Sequence, residues 1–557
     1  MSAEEEFEED HAAEPTEPAG AESEDLDERP SARSRAMFPP WPTRLFVVVC
    51  LALIVVVRTC VPVLERAMIN IFSLVLMLVA AITLLAWFVL CSGFAKRRRY
   101  EVAAATVAVV IVLVAALRVE HVTGDLVPRF KFRWQAHADQ LLQEPVVQAG
   151  AVDLAKTTPY DFPQFLGPDR NASVSKVTLE RDWKTKPPKQ LWRIPIGAGW
   201  SGFAAVNRFA VTLEQRGPDE LVTCYELATG QLKWTHVNQA RHATIPGGIG
   251  PRSTPTIQQG RVYALGATGM LWCLDGATGR EVWKDDLLQR IGITADVDGL
   301  GIAWGRSASP LVVDDLVVVP LGGKSGGPWV SLAAYHKGTG QLAWTAGKYQ
   351  ASYSSPCVAT IHGVRQILIV NQDFVTGHQP ETGAVLWEYP WPGLSNTNAS
   401  VSQPVALPND CLLLSKGYGG GGRLLQFSLA DKAWRWREIW TDAGVLKTKF
   451  TNVVVRDDYV YGLSDGILEC VQWSTGKTKW KAGRSGRYGP GQVLGVGDVL
   501  LVQTEDGPVV MVEATPEQFR ELGRFPALSG KTWNTLCLVD HRLLVRNSEE
   551  AACYELP

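Results

Sequence analysis

Thr278-Gly279-Arg280-Glu281-Val282-Trp283 is a phrase that this chain repeats. It stands also as Thr229-Gly230-Gln231-Leu232-Lys233-Trp234, Thr339-Gly340-Gln341-Leu342-Ala343-Trp344, Thr382-Gly383-Ala384-Val385-Leu386-Trp387 and Thr475-Gly476-Lys477-Thr478-Lys479-Trp480. The five glycines are separated by 49, 61, 43 and 93 residues, and the last gap fits two repeats. Its degenerate copy falls near Ala430-Asp431, with Trp434 or Trp436 as the aromatic. A period of about 40–50 residues made of short β runs predicts a propeller.

One repeat shows how the chain is laid out. Thr256–Ile257 opens a first strand, Gln259-Gly260 turns, and Arg261–Leu265 runs back. Gly266–Gly269 turns again into Met270–Asp275, and Gly276–Gly279 leads to a fourth strand that carries Trp283. Short strands with period-2 apolar alternation and Gly/Asp/Asn turns are hairpin signals. First strands are expected near Phe203, Pro255, Pro310, Pro356, Pro404, Val453, Val493 and Leu536, so the count is eight. The last repeat ends the chain at Cys553–Pro557 without a fourth strand, and Gln190–Ile196 is available to supply it. Such closure removes an open sheet edge. Trp192, Trp234, Trp283, Trp344, Trp387 and Trp480 are then structural, each burying a ring between neighbouring blades. The Thr-Gly turns supply the positive φ that the reversal needs.

Outside the repeats the chain changes character. Net charge is −3, but residues 1–28 carry 13 acidic side chains and no Lys or Arg, so the rest is +10. Residues 1–43, rich in Glu, Ala, Pro and Ser, read as a disordered acidic tail. Residues 44–118 read as three transmembrane helices, at about 45–64, 69–95 and 102–118, each near the length needed to cross ~30 Å of hydrocarbon. Arg29, Arg33, Arg35 and Arg44 precede the first, and Lys96-Arg97-Arg98-Arg99 separates the second from the third. The positive-inside rule places both groups in the cytoplasm and everything beyond about residue 120 outside. Residues 119–185 are a linker and lead-in, and 186–557 are the propeller. Residues 102–557 are only about +2, which leaves no electrostatic footprint for nucleic acid.

The pattern Leu274-Asp275-Gly276-Ala277-Thr278-Gly279-x-x-x-Trp283 resembles the repeat of the pyrroloquinoline-quinone-like (PQQ-like) β-propeller family. That family holds quinoprotein alcohol dehydrogenases and the BamB-type lipoprotein of the outer-membrane β-barrel assembly machine. The resemblance covers roughly residues 160–557. Asp161–Arg170 and Phe132-Arg133-Trp134 resemble the lead-in of bacterial members. It implies an all-β, eight-bladed propeller, quinoprotein alcohol dehydrogenase-like, behind a small α-helical membrane module. It also implies a bacterial cytoplasmic (inner) membrane protein with its propeller in the periplasm. The leading expectation is a binding scaffold for protein partners, in envelope protein assembly. The alternative is a PQQ-dependent alcohol or sugar dehydrogenase that uses Ca²⁺.

Propeller topology sorts the loops onto two faces, and the long ones fall together: His242–Arg252, Asp286–Arg306, Leu321–Pro328, Tyr389–Val401 and Gly417–Gly422. Any protein partner is expected on this face. Residues just before each first strand ring the channel mouth. They give the candidate site: Arg252, Thr254, Arg306, Ser309, Tyr353, Ser355, Gln403, Asn452, Arg487, Gln492, Trp533 and Asn534. Arg pairs could hold a planar anionic quinone stacked on Trp533. Alternatively, the hydroxyls satisfy backbone groups in a solvated channel. Catalytic quinoproteins carry an adjacent-cysteine disulfide, carboxylate calcium ligands and an aspartate base. This chain has no Cys-Cys, and the ring so aligned contains no carboxylate, although Asp296 and Asp298 could bend in. No catalytic residue or metal site is therefore assigned. Gly322-Gly323-Lys324-Ser325 lacks the first glycine of a phosphate loop, and no H-x-x-x-H zinc spacing occurs. The pairing of Cys224, Cys273, Cys357, Cys411, Cys470, Cys537 and Cys553 is open at this level.

Overall fold

The structure, a computed structural model, describes residues 37–60, 65–143, 145–148 and 150–557. The acidic tail, up to residue 36, and the end of the first span at 61–64 lie outside the described residues. Three helices follow: α1 (Trp41–Cys60), α2 (Arg66–Cys91) and α3 (Lys96–Ala116). Each is long and apolar enough to cross a membrane. The basic run Lys96–Arg99 is not a loop but the first turn of α3. Arg99 folds back and donates to the Val89 and Leu90 carbonyls at the end of α2, at 2.9 and 3.2 Å. From α3 the chain runs directly into a hairpin, Leu117–Val122 against Pro128–Phe132.

Eight blades of four antiparallel strands complete the molecule, the seventh extended by Ser173–Val174 of the lead-in, which pairs in parallel with Gly495–Val496. Their first strands begin at Ala204, Thr256, Leu311, Cys357, Val405, Val454, Gln492 and Cys537, each within one residue of the sequence expectation. The eighth blade closes as expected, with Lys189–Pro195 pairing antiparallel to Glu550–Glu555 and Trp192 opposite Cys553. Cys224, Cys273, Cys357, Cys411, Cys470, Cys537 and Cys553 are buried free thiols. Together with Val, Leu and Trp side chains they fill the space between blades.

The repeated phrase is a docking device. Four of the tryptophans reach under the turn of the next blade that carries the repeated glycine and donate their indole N–H to a carbonyl there. Trp192 donates to Leu227, Trp234 to Gly276, Trp283 to Lys337 and Trp344 to Pro380. The turn glycine leaves room for the ring: a Cβ on Gly279 would lie 2.5 Å from Trp234, and one on Gly340 2.7 Å from Trp283. In the degenerate fifth repeat Trp440 takes this role, rather than Trp434 or Trp436. Its N–H reaches the Trp473 carbonyl at 2.7 Å and its ring fills the space at Gly476. The hairpin there has ten-residue strands, Gly421–Ala430 and Ala433–Asp442, so Trp440, opposite Leu424 at the same register shift that the other blades show, stands further from the turn. Trp387, facing a turn without glycine, donates instead to Gln366 and packs on Phe427 at 4.5 Å.

The channel is closed at the short-turn end by the lead-in. Phe162 pairs with Ala205, and Pro163 accepts from the Ile257 amide. Arg170 is buried and donates to the Ser309 and Pro310 carbonyls at 3.2 and 3.1 Å. Burial lowers its pKa to about 10.

Candidate functional site at the channel mouth

The residues before each first strand form a hydrogen-bonded belt that crosses every junction between blades. The Gly202 amide donates to Thr254, Thr254 to Ser309, and Ser309 to Ser355, at 3.2, 2.9 and 2.9 Å. Ser354 donates to the Ser402 carbonyl, and the Gln403 amide to Asn452 at 2.7 Å. Gln492 joins the sixth and eighth blades through the Phe450 and Trp533 carbonyls. Asn534 joins the eighth to the first through Gly199 and Ser201. The belt contains no carboxylate, and its polar groups are largely committed to holding the ring.

Above the belt lies a cavity of about 760 Å³. Arg252, Thr254, Tyr353, Ser355, Asn452, Gln492 and Trp533 line it. Ser309, Gln403 and Asn534 belong to the belt alone. Arg306 is drawn away into a buried ion pair with Asp298 at 2.8 Å, which also disposes of Asp298 as an inward carboxylate. That aspartate sits on a short helix, Ala295–Gly301, within the longest loop. The cavity wall is an aromatic arc. Tyr353 stacks on Trp304 at 5.0 Å, Trp304 meets Phe450 edge-on, and Phe450, Trp533 and Trp200 follow at 4.5 and 5.0 Å. Trp533 is not a free stacking platform. The Lys531 ammonium lies 3.6 Å from its ring centre, and its N–H is held by Glu505 at 2.9 Å. Burial pushes the Glu505 carboxyl up and lowers the Lys531 ammonium to about 7. Arg252 donates to the Gly247, Gly248 and Gly250 carbonyls and has no ion-pair partner among the described residues. Burial lowers its pKa to about 10.

The roof of the cavity comes from the chain's own N-terminal module. The turn at 123–127 enters the mouth, where the Gly124 amide donates to Glu505 at 2.6 Å. A Cβ on Gly124 would overlap Pro490. Ala67, Met68 and Ile71 of α2 complete the wall. A buried ion cluster fastens the parts together. Lys449, with its side chain wholly buried, lies 2.8 Å from Asp465 and 3.7 Å from both Glu65 and Asp125. Arg487 pairs with Asp125 at 2.6 Å, the Arg66 amide donates to Asp465, and the Gly419 amide to Glu65. Burial pulls the Lys449 ammonium down, but Asp465, Glu65 and Asp125 outweigh it, and the net shift is upward. Asp465 moves the opposite way, burial raising it and Lys449 lowering it further.

Sequence reasoning placed Arg487 near the mouth but missed Glu65, Asp125, Lys449, Asp465, Glu505 and Lys531. A signal existed for two of them. Asp465-Gly466 and Glu505-Asp506-Gly507 are turns between second and third strands, on the same face as the long loops. The carboxylates stand one layer above the belt, where the alignment of first strands could not reach.

Comparison with known proteins agrees with this architecture. Residues 218–482 match the family described as outer membrane protein assembly factor BamB. The crystal structure of BamB from Moraxella catarrhalis is 14% identical, with 66% of this chain and 98% of that chain covered and a TM-score of 0.46. The quinohemoprotein alcohol dehydrogenase from Comamonas testosteroni is 13% identical, with coverage of 72% and 81% and a TM-score of 0.50. No curated protein matches the sequence.

The residues present do not fit a pyrroloquinoline quinone with Ca²⁺. A calcium site needs several free carboxylate or carbonyl oxygens. Here the Lys449 ammonium already occupies the centre of the mouth carboxylates, and among the described residues no three His, Cys, Asp or Glu are disposed to hold a metal. The ring face of Trp533 is taken by Lys531.

Proposed function

We infer, for a chain whose propeller is of the BamB-type, PQQ-like repeat family, a non-catalytic scaffold that presents protein-binding surface outside the cytoplasmic membrane. The observation that carries this reading is the closed mouth. Where a quinoprotein would seat its cofactor, this chain seats its own turn 123–127 and fastens it through Lys449. A partner then meets the rim of the long-loop face rather than the channel. Ile245, Leu300 and Leu394 stand exposed on three of those loops, and Asn396 ties two of them together through the Leu300 carbonyl. Exposed apolar side chains on rigid neighbouring loops suit a protein partner. Because the same face carries α1–α3, the partner is itself a membrane or membrane-surface protein, and envelope protein assembly is the process proposed.

The orientation follows from Lys96–Arg99 at the cytoplasmic end of α3. In-cell cross-linking followed by affinity capture tests the scaffold role. Wild-type protein should yield a discrete cross-linked partner, and Leu300→Asp should lose most of it while melting unchanged. A reporter that works only in the cytoplasm should be active near Arg97 and silent after Pro557. Unchanged capture by Leu300→Asp, or a strong cytoplasmic signal after Pro557, contradicts the reading.

A further inference from the structure

The cavity has a composition that the scaffold role does not use. Its floor is the belt, whose polar groups are already engaged across the blade junctions. The aromatic arc forms part of its wall, and Met68 and Ile71 in the first two turns of α2 form another part. That helix is otherwise exposed along its length and apolar enough to span a bilayer. A wall made from a spanning helix gives access from the membrane, so the natural occupant is a membrane component. At about 760 Å³ the space lies within the ~300–1,000 Å³ usual for ligand sites.

The polar end of the occupant is specified by charge. Arg252 and Lys531 both border Trp200: Arg252 and the Trp200 indole donate to the same Gly247 carbonyl, and the Lys531 ammonium lies 4.8 Å from the Trp200 ring centre. Arg252 lines the cavity and has no ion-pair partner among the described residues, whereas Lys531 lies outside the lining, donates to the Val122 carbonyl at 2.9 Å and is lowered by burial to about 7. Glu65 lies on the wall, but its carboxylate is engaged by Lys449 and the Gly419 amide. Glu505 is engaged by the Trp533 indole and the Gly124 amide. An unpaired guanidinium on the wall of an apolar, aromatic space calls for an anionic head on a hydrocarbon chain.

We propose that the cavity holds one anionic membrane phospholipid, its hydrocarbon along α2 and the aromatic arc and its phosphate at Arg252. The proposal rests on the membrane reading of α1–α3, and not on the identity of the protein partner.

Native mass spectrometry of the full chain in non-ionic detergent tests it, after exchange with phosphatidylglycerol or phosphatidylcholine. The wild type should keep one phosphatidylglycerol under activation that strips loosely held lipid. Arg252→Gln should lower that retention by about ten-fold and erase the preference over phosphatidylcholine, in line with loss of a charge-assisted contact. Val401→Trp or Ile71→Trp, which fill the cavity, should abolish retention; at least one must keep the wild-type melting point for the comparison, and two misfolded variants together count against an open cavity. No retained lipid, equal retention of both lipids, or undiminished retention in a folded cavity-filled variant overturns the proposal. Alkaline carbonate extraction distinguishes the failures. Protein released from membranes sinks the membrane reading as well, whereas protein that stays in the membrane without bound lipid sinks only this inference.

Discussion

A Cβ on Gly279 would stand 2.5 Å from the Trp234 ring, and the residue has a φ of +70°. Two independent demands, a left-handed turn and a vacancy for the neighbour's indole, therefore fall on one glycine. Gly279→Ala should cost about 1–3 kcal/mol through strain and displacement of the ring. Trp234→Ala should cost about 3–5 kcal/mol through the cavity it leaves. The double variant should cost less than the sum, because both changes break one contact. Gly338→Ala, whose Cβ would meet nothing within 4 Å, should be neutral. Chemical denaturation of the four variants checks the set, and strict additivity would show that turn and ring are uncoupled. This pair was legible in the sequence because each blade states it afresh. Trp440 was not, because one repeat lengthened its strands and moved the ring along them.

Between elements, the decisive contact is the fastening of α2 and the 123–127 turn to the sixth blade through Lys449. Removing one partner of a buried ion cluster leaves the others uncompensated, at about 3–5 kcal/mol. Lys449→Met should therefore release the turn from the mouth, read as lost hydrogen-exchange protection at Gly124 and Asp125, while the blades stay protected. The pH dependence has a definite sign. Lys449 is raised above 10.5 on folding, so its contribution is complete below 10.5 and is lost as pH rises through the higher folded value. Asp465 is lowered below 3.8, so its contribution is complete above 3.8 and is lost as pH falls through the lower folded value. The Lys449-dependent part of the protection, wild type minus Lys449→Met, should then be flat from about pH 5 to pH 9, while Glu505 at the Gly124 amide and Lys531, lowered to about 7, titrate in both proteins alike. A marked change inside that window would mean that another group controls the docking. None of this cluster was legible in sequence, since its members lie at residues 65, 125, 449 and 465 and no repeat aligns them.

Across the whole molecule, two ends of one chain meet twice. Lys189–Pro195 completes the eighth blade, a pairing legible because the repeat count left one strand short. Deleting 186–197 should bare the Glu550–Glu555 edge and cause aggregation or cooperative loss of the fold. A monomeric truncation with unchanged melting would break this account of closure. The second meeting, of the apolar N-terminal helices with the long-loop face, was hidden because a sequence places loops on a face without showing what covers it. The proposed scaffold reading rests on it. The most direct measurement is a spectroscopic titration of the purified, membrane-extracted protein with pyrroloquinoline quinone and Ca²⁺, followed by dye reduction with alcohols and sugars. The closed mouth and the Lys531-covered Trp533 predict no saturable binding and no dye reduction. Micromolar binding with dye reduction, abolished by Trp533→Ala, would contradict the scaffold and establish an enzyme.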